Sequence, residues 1–90
     1  MDVLRVAAGS NARSLAGCIA GVVREQGRAE LQAVGAAAVN QVVKATAIAR
    51  GFLHEDGLKP GEDLVLIIRF AQVIIGGKEK TAIRFIAEKR

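Results

Sequence analysis

Ninety residues fit one domain, since domains run roughly 50–250 residues, so a single domain over residues 1–90 is expected. The composition is 51% hydrophobic, 24% charged and 3% aromatic, too apolar for a disordered chain, and its core must come from Ala, Val, Ile and Leu. The net charge of +4 permits a polyanionic partner without demanding one, and a single cysteine excludes a disulfide framework or a Cys-cluster zinc site.

Val3, Leu4 and Val6 form a short apolar run that stops at Gly9-Ser10-Asn11, a first strand. Ser10 and Asn11 are helix N-cap types and Gly27 is a C-cap type, so a first helix spans about Asn11–Gln26. Ala12, Leu15, Ala16, Ile19, Val22 and Val23 fall on one face at helical spacing. Arg13, Gly17, Ala20 and Arg24 fall opposite. Glu30–Val34 alternates polar and apolar, a second strand ended by Gly35. A strand, a helix and a second strand joined this tightly predict a right-handed parallel crossover.

Ala36–Phe52 reads as a second helix, with Ala38, Val42, Ala45, Ala49 and Phe52 inward. Asn40, Lys44, Ala47 and Arg50 lie outward, and Gly51 marks fraying. His54–Asp63 reads as a loop, broken by Gly57, Pro60 and Gly61. It is acidic: Glu55, Asp56, Glu62 and Asp63 stand against Lys59. Leu64–Ile75 is a long apolar strand, Gly76-Gly77 a hairpin turn and Glu79–Ala87 the returning strand. Its uneven alternation across Ala82–Ile86 predicts a bulge. Arg69, Lys78, Lys80, Arg84, Lys89 and Arg90 outnumber Glu79 and Glu88, so the hairpin reads as a basic arm beside an acidic loop. The order β-α-β-α-β-β predicts a two-layer α/β sandwich, a four-stranded mixed sheet with two helices on one face.

The residues offer little to catalysis, and no enzyme, cofactor or metal is expected. His54 is the only histidine, and adjacent loop residues do not converge on one ion. Cys18 lacks a neighbouring base or resolving thiol and reads as a small half-buried side chain. Gly35 sits where a phosphate loop would, but Gly35–Val39 lacks the glycine spacing and the Lys-Ser/Thr of one. The N–H groups of that helix start are a lesser anion-site candidate. Gly17 and Gly21, four apart, leave a smooth strip for close approach of another helix or a partner.

Asn40, Gln41 and Lys44 form a polar trio that suits phosphates or base edges. Arg13 and the hairpin cations Lys78, Lys80 and Arg84 add basic surface. With no Tyr or Trp, stacking on an aromatic platform is excluded. Nucleic-acid binding would rest on phosphate contacts and be salt-sensitive. No apolar stretch approaches the roughly 18 residues of a membrane span, and Met1–Arg5 does not read as a signal peptide. No membrane partner and a cytoplasmic setting are expected.

The stretches Leu15–Glu25 (LAGCIAGVVRE) and Ala29–Gly35 (AELQAVG) resemble the stage V sporulation protein S family. So do Val39–Ala45 (VNQVVKA), Ala47–Phe52 (AIARGF) and Lys80–Arg84 (KTAIR), in order along nearly the whole chain. The resemblance implies a small bacterial regulator linked to sporulation, with a fold similar to the Alba group of nucleic-acid-binding proteins. It implies a homodimer or tetramer that holds DNA or RNA with the loop after the first strand, the start of the second helix and the hairpin arms. Carried onto this chain, those regions hold Ser10, Asn11 and Arg13; Asn40, Gln41 and Lys44; and Lys78, Lys80 and Arg84. The chain departs from the family pattern at Gly9, where a lysine is usual. It departs again in its long acidic loop, and at Arg69–Gln72 in place of a proline-containing segment. Those departures keep a second reading open, a protein-interaction regulator of sporulation or development without nucleic-acid binding. A small-molecule or anion binder is the third.

Overall fold

The computed structural model describes residues 2–90. Its elements are β1 (Val3–Val6), α1 (Ala12–Gln26), β2 (Arg28–Ala33), α2 (Ala36–Glu55), β3 (Leu64–Ile75) and β4 (Lys78–Lys89). The four strands form one sheet in the order β1-β2-β4-β3, parallel between β1 and β2 and antiparallel elsewhere. Both helices cover one face, giving the mixed two-layer α/β architecture the sequence predicts.

Local chemistry sets the boundaries. Asn11 caps α1, its Oδ1 accepting from the Ser14 N–H at 2.9 Å. Gly27 ends α1 in the left-handed region (φ 84°) and donates its N–H to the Val23 carbonyl at 2.8 Å. That turn is tight enough for β2 to start at Arg28, two residues earlier than alternation indicates. At the hairpin, Gly76 (φ 59°) and Gly77 (φ 77°) both hold positive φ, the pattern of a two-residue type I′ turn.

Packing overrides two local signals. Helix α2 continues past Gly51 to Glu55, because Leu53 is fully buried against the core. His54 and Glu55 therefore belong to the helix, and the loop begins at Asp56. The expected bulge in β4 is absent: the β3–β4 register runs unbroken from Leu64↔Lys89 to Ile75↔Lys78. The uneven pattern arises because both faces of β4 carry buried residues. Phe85 and Ala87 face the helices, and Ala82 and Ile86 are buried outside that core.

The core is alanine-rich: Ala16, Ala20, Ala45, Ala49, Ala29, Ala33 and Ala87 are all buried. Small side chains let helices and sheet approach closely around the larger buried residues Phe85, Ile19, Leu31 and Leu53. Ala20, expected on the outer face of α1, is buried with Ala16 and Val23. Helix α2 covers that side, and Arg24 reaches across to the Phe52 and Asp56 carbonyls. Gly17 and Gly21 do not mediate the approach: a Cβ built on either would meet nothing within 4 Å. Cys18 is exposed, not half-buried.

Candidate nucleic-acid interface

The sheet topology decides which end of the molecule carries the predicted residues. Strand β2 ends where Ala33 pairs with Ile83, while the hairpin runs on to its turn at Gly76-Gly77. Residues 71–82 therefore form a two-stranded arm beyond the four-stranded body, which gives the molecule its 46 Å long axis. Strand β1 also ends at this side, since Val6 pairs with Ala33. So the β1–α1 loop, the start of α2 and the arm all lie at one end.

A single hydrogen bond ties two of these segments together. The Gln41 amide nitrogen donates to the Ser10 carbonyl at 2.5 Å. Ser10 Oγ accepts from the Ala7 N–H at 2.9 Å, and Asn11 is engaged in its cap, so both side chains shape the loop. Arg13 holds its guanidinium 5.6 Å from the Phe52 ring centroid, a cation–π contact that draws it along α2. Asn40 and Lys44 are exposed, one turn apart on α2.

Lys78 and Lys80 are exposed on the arm. Arg84, expected with them, lies instead in the four-stranded body: it pairs with Gln32 and donates from Nε to Gln32 Oε1 at 2.8 Å. The acidic loop is also not beside the arm tip. It joins β3 at Leu64, eleven residues before Ile75, which places it roughly 37 Å away along an extended strand.

This separation sorts the ion pairs. Arg24 meets Asp56 at 3.9 Å, Arg50 meets Asp63 and Arg90 meets Glu88, all toward the loop end. Among the described residues, Lys44, Lys78 and Lys80 enter no ion pair. Cations facing solvent without a carboxylate are available to phosphates.

An apolar stripe runs from the body's edge strand out into the arm. Ile68, Phe70 and Ile74 alternate along β3 on the helix side of the sheet, beyond the helices, and are 56%, 72% and 77% exposed. Strand β3 is also a sheet edge. From sequence, Arg5 and Gln32 stand outside the candidate site and Arg69 counts only among the hairpin cations. Strand register places all three in one row with Arg84 on the helix-free face, Arg5 opposite Gln32, Gln32 opposite Arg84 and Arg84 opposite Arg69. Period-two alternation puts each on a face, but only the strand order shows that the faces coincide.

The family model for stage V sporulation protein S matches residues 2–90. The chain belongs to that family. This places it among small sporulation-related regulators. Among solved structures, Alba from Thermoplasma volcanium superposes with a TM-score of 0.58 at 8% identity, covering 98% of each chain. At that identity the likeness concerns the fold, and it is the Alba-like fold that the sequence resemblance implies. Among the described residues no helix is long and apolar enough to cross a membrane.

Proposed function

We propose that this family member is a non-enzymatic regulator that binds DNA or RNA through phosphates at the arm end, working as a homodimer in the cytoplasm. One observation carries the reading. The β1–α1 loop, the start of α2 and the arm share one end, and among the described residues Lys44, Lys78 and Lys80 enter no ion pair with a carboxylate. Lys44 and the two arm lysines supply charge, Asn40 and Gln41 supply directional donors, and Ser10 and Asn11 fix the loop beside them. Arg13 adds charge further along α2, and Arg84 contributes from the body. The named groups are cations and amide or hydroxyl donors, so the grip is chiefly on the backbone and weakens with salt, with the exposed Phe70 ring the one aromatic side chain near the arm.

The second copy covers the apolar stripe that runs along β3 into the arm. An exposed edge strand carrying Ile68, Phe70 and Ile74 invites pairing, and burying it protects against open-ended association. Light scattering near 9.5 kDa alone, the mass of one chain, counts against the dimer.

The test of binding is a gel-shift titration against duplex DNA and against RNA at low and moderate salt. Binding that falls steeply with salt supports the reading, and no binding to either at low salt refutes it. The exposed apolar stripe favours the protein-interaction alternative equally well. Lys44→Glu with Lys80→Glu separates the two: nucleic-acid binding needs these charges, whereas a protein partner seated on Ile68, Phe70 and Ile74 does not.

A further inference from the structure

The helix-free face of the sheet carries a second feature. Arg5, Gln32, Arg84 and Arg69 lie side by side, one from each strand. Strand spacing of about 4.8 Å makes the row roughly 14 Å long. Arg69 and Arg84 stand directly opposite each other across an antiparallel pair, an arrangement that repels when both are charged. Among the described residues neither has a carboxylate within ion-pair distance, nor has Arg5. Gln32 accepts from Arg84 Nε, which fixes that guanidinium and leaves its terminal N–H donors outside this bond.

A shallow cleft of about 230 Å³ opens between the two arginines, with Glu30 and Ile86 also in its wall. Two adjacent guanidinium groups without counter-ions, at a concave spot, are complementary to a phosphoryl group. The cleft is smaller than the roughly 300–1,000 Å³ that encloses a small-molecule ligand. It therefore suits one phosphate of a chain that continues across the surface, with Arg5 placed for a neighbouring phosphate. Glu30 also lines this cleft, and its negative charge there limits affinity for an anion.

The geometry points to a phosphate-binding site on the helix-free face, centred on Arg69 and Arg84 and extended by Arg5, that takes the phosphate of a phosphodiester chain. It goes beyond the arm-end reading, with which it shares only Arg84. Lys80, on the same side of β4 as Arg84, continues its charge toward the arm.

The experiment follows arginine Nε–Hε resonances of the full chain while adding either pyrophosphate or a twelve-residue oligothymidylate. Arg69 and Arg84 are expected to shift with both, and Arg5 with the oligonucleotide. Response to pyrophosphate alone limits the site to free phosphates and overturns its use of a chain. Arg5→Gln with Arg69→Gln, both at exposed positions, is expected to lower the salt slope of oligonucleotide binding by about 1.4, the loss of two single-strand phosphate contacts. Glu30→Gln is expected to tighten pyrophosphate binding several-fold, an effect that a merely structural role for the row does not produce. The same titrations in Lys44→Gln separate the two sites. Unchanged Arg69 and Arg84 shifts there support the helix-free site even if the arm-end reading fails. Silent arginine resonances, with an unaltered salt slope in Arg5→Gln/Arg69→Gln, overturn it even if the arm end binds.

Discussion

The two ends of this molecule differ in where charge is paired. Among the described residues all three ion pairs lie toward the loop, although Arg28, Lys59 and Lys89 there stand outside them. Toward the loop of residues 56–63, Arg24, Arg50 and Arg90 each meet a carboxylate, and Leu53 anchors the last turn of α2 in the core. Toward the arm, and at Lys44 in the third turn of α2, the cations Lys44, Lys78 and Lys80 meet none among the described residues, and Ile68, Phe70 and Ile74 face solvent. The loop end spends its side chains on closing the fold. The arm end leaves them unspent, a costly choice for a fold of this size unless a partner completes it. Net charge hides this division, because paired and unpaired cations count alike.

Leu53→Ala removes a fully buried side chain and is expected to cost about 2–5 kcal/mol. Chemical denaturation should show a large drop in midpoint. By contrast, Lys44→Glu/Lys80→Glu changes exposed side chains without partners, so stability should move by less than about 0.5 kcal/mol per site. If those lysines hold phosphates, affinity at moderate salt should fall at least ten-fold, with a duplex salt slope shallower by about 1.8. A large stability loss in the double variant, or an unchanged slope, erases the distinction between the ends.

Asn11→Ala probes the border between structure and binding. Its side chain caps α1 and also holds the loop that carries Ser10, so about 1 kcal/mol of stability should be lost. Nucleic-acid affinity should fall modestly, because Gln41 then bonds to a looser loop. Asn11→Asp restores the capping oxygen and should recover the stability. It places a negative charge near the phosphates and should leave the affinity low.

Much of this fold is legible in the residue order. Asn11 and Gly27 bound α1, Gly76-Gly77 fixes the hairpin, and the element order selects the two-layer sheet. The family motifs, such as VNQVVKA at Val39–Ala45, point to the same fold. What escaped depends on distant partners. Gly51 reads as a stop until Leu53 finds the core. The alternation in β4 reads as a bulge until both faces prove to be partly covered. The candidate site divides the same way. Its arm-end lysines follow from hairpin position, whereas Arg84 moved to the body because β2 extends to pair with it. The row from Arg5 to Arg69 needs β4 to insert between β2 and β3, and no local pattern encodes that insertion.

The smallest expected effect lies at the loop end, in the tie between α2 and the ends of the hairpin. Asp63 accepts from Arg50 Nε and from the Leu64 N–H, while its backbone exchanges two hydrogen bonds with Arg90. The Arg50 hydrogen bond, helped by the Leu64 N–H, holds the Asp63 carboxyl below its usual range. Folding therefore favours the ionised form. The stabilisation is complete above the ordinary carboxylate range and is lost as pH falls below it, through the lowered value. Because Asp63 and Arg50 are about half exposed, salt screens the pair and the effect is small. Asp63→Asn should leave the arm's salt-dependent binding intact. It should flatten the acid limb of the stability–pH profile while changing neutral stability little, a difference resolvable by denaturation midpoints taken from neutral pH down to about pH 3. An acid limb identical in both proteins would mean that the loop end gains nothing from this pair, and that its stability rests on Leu53 and the backbone ladder.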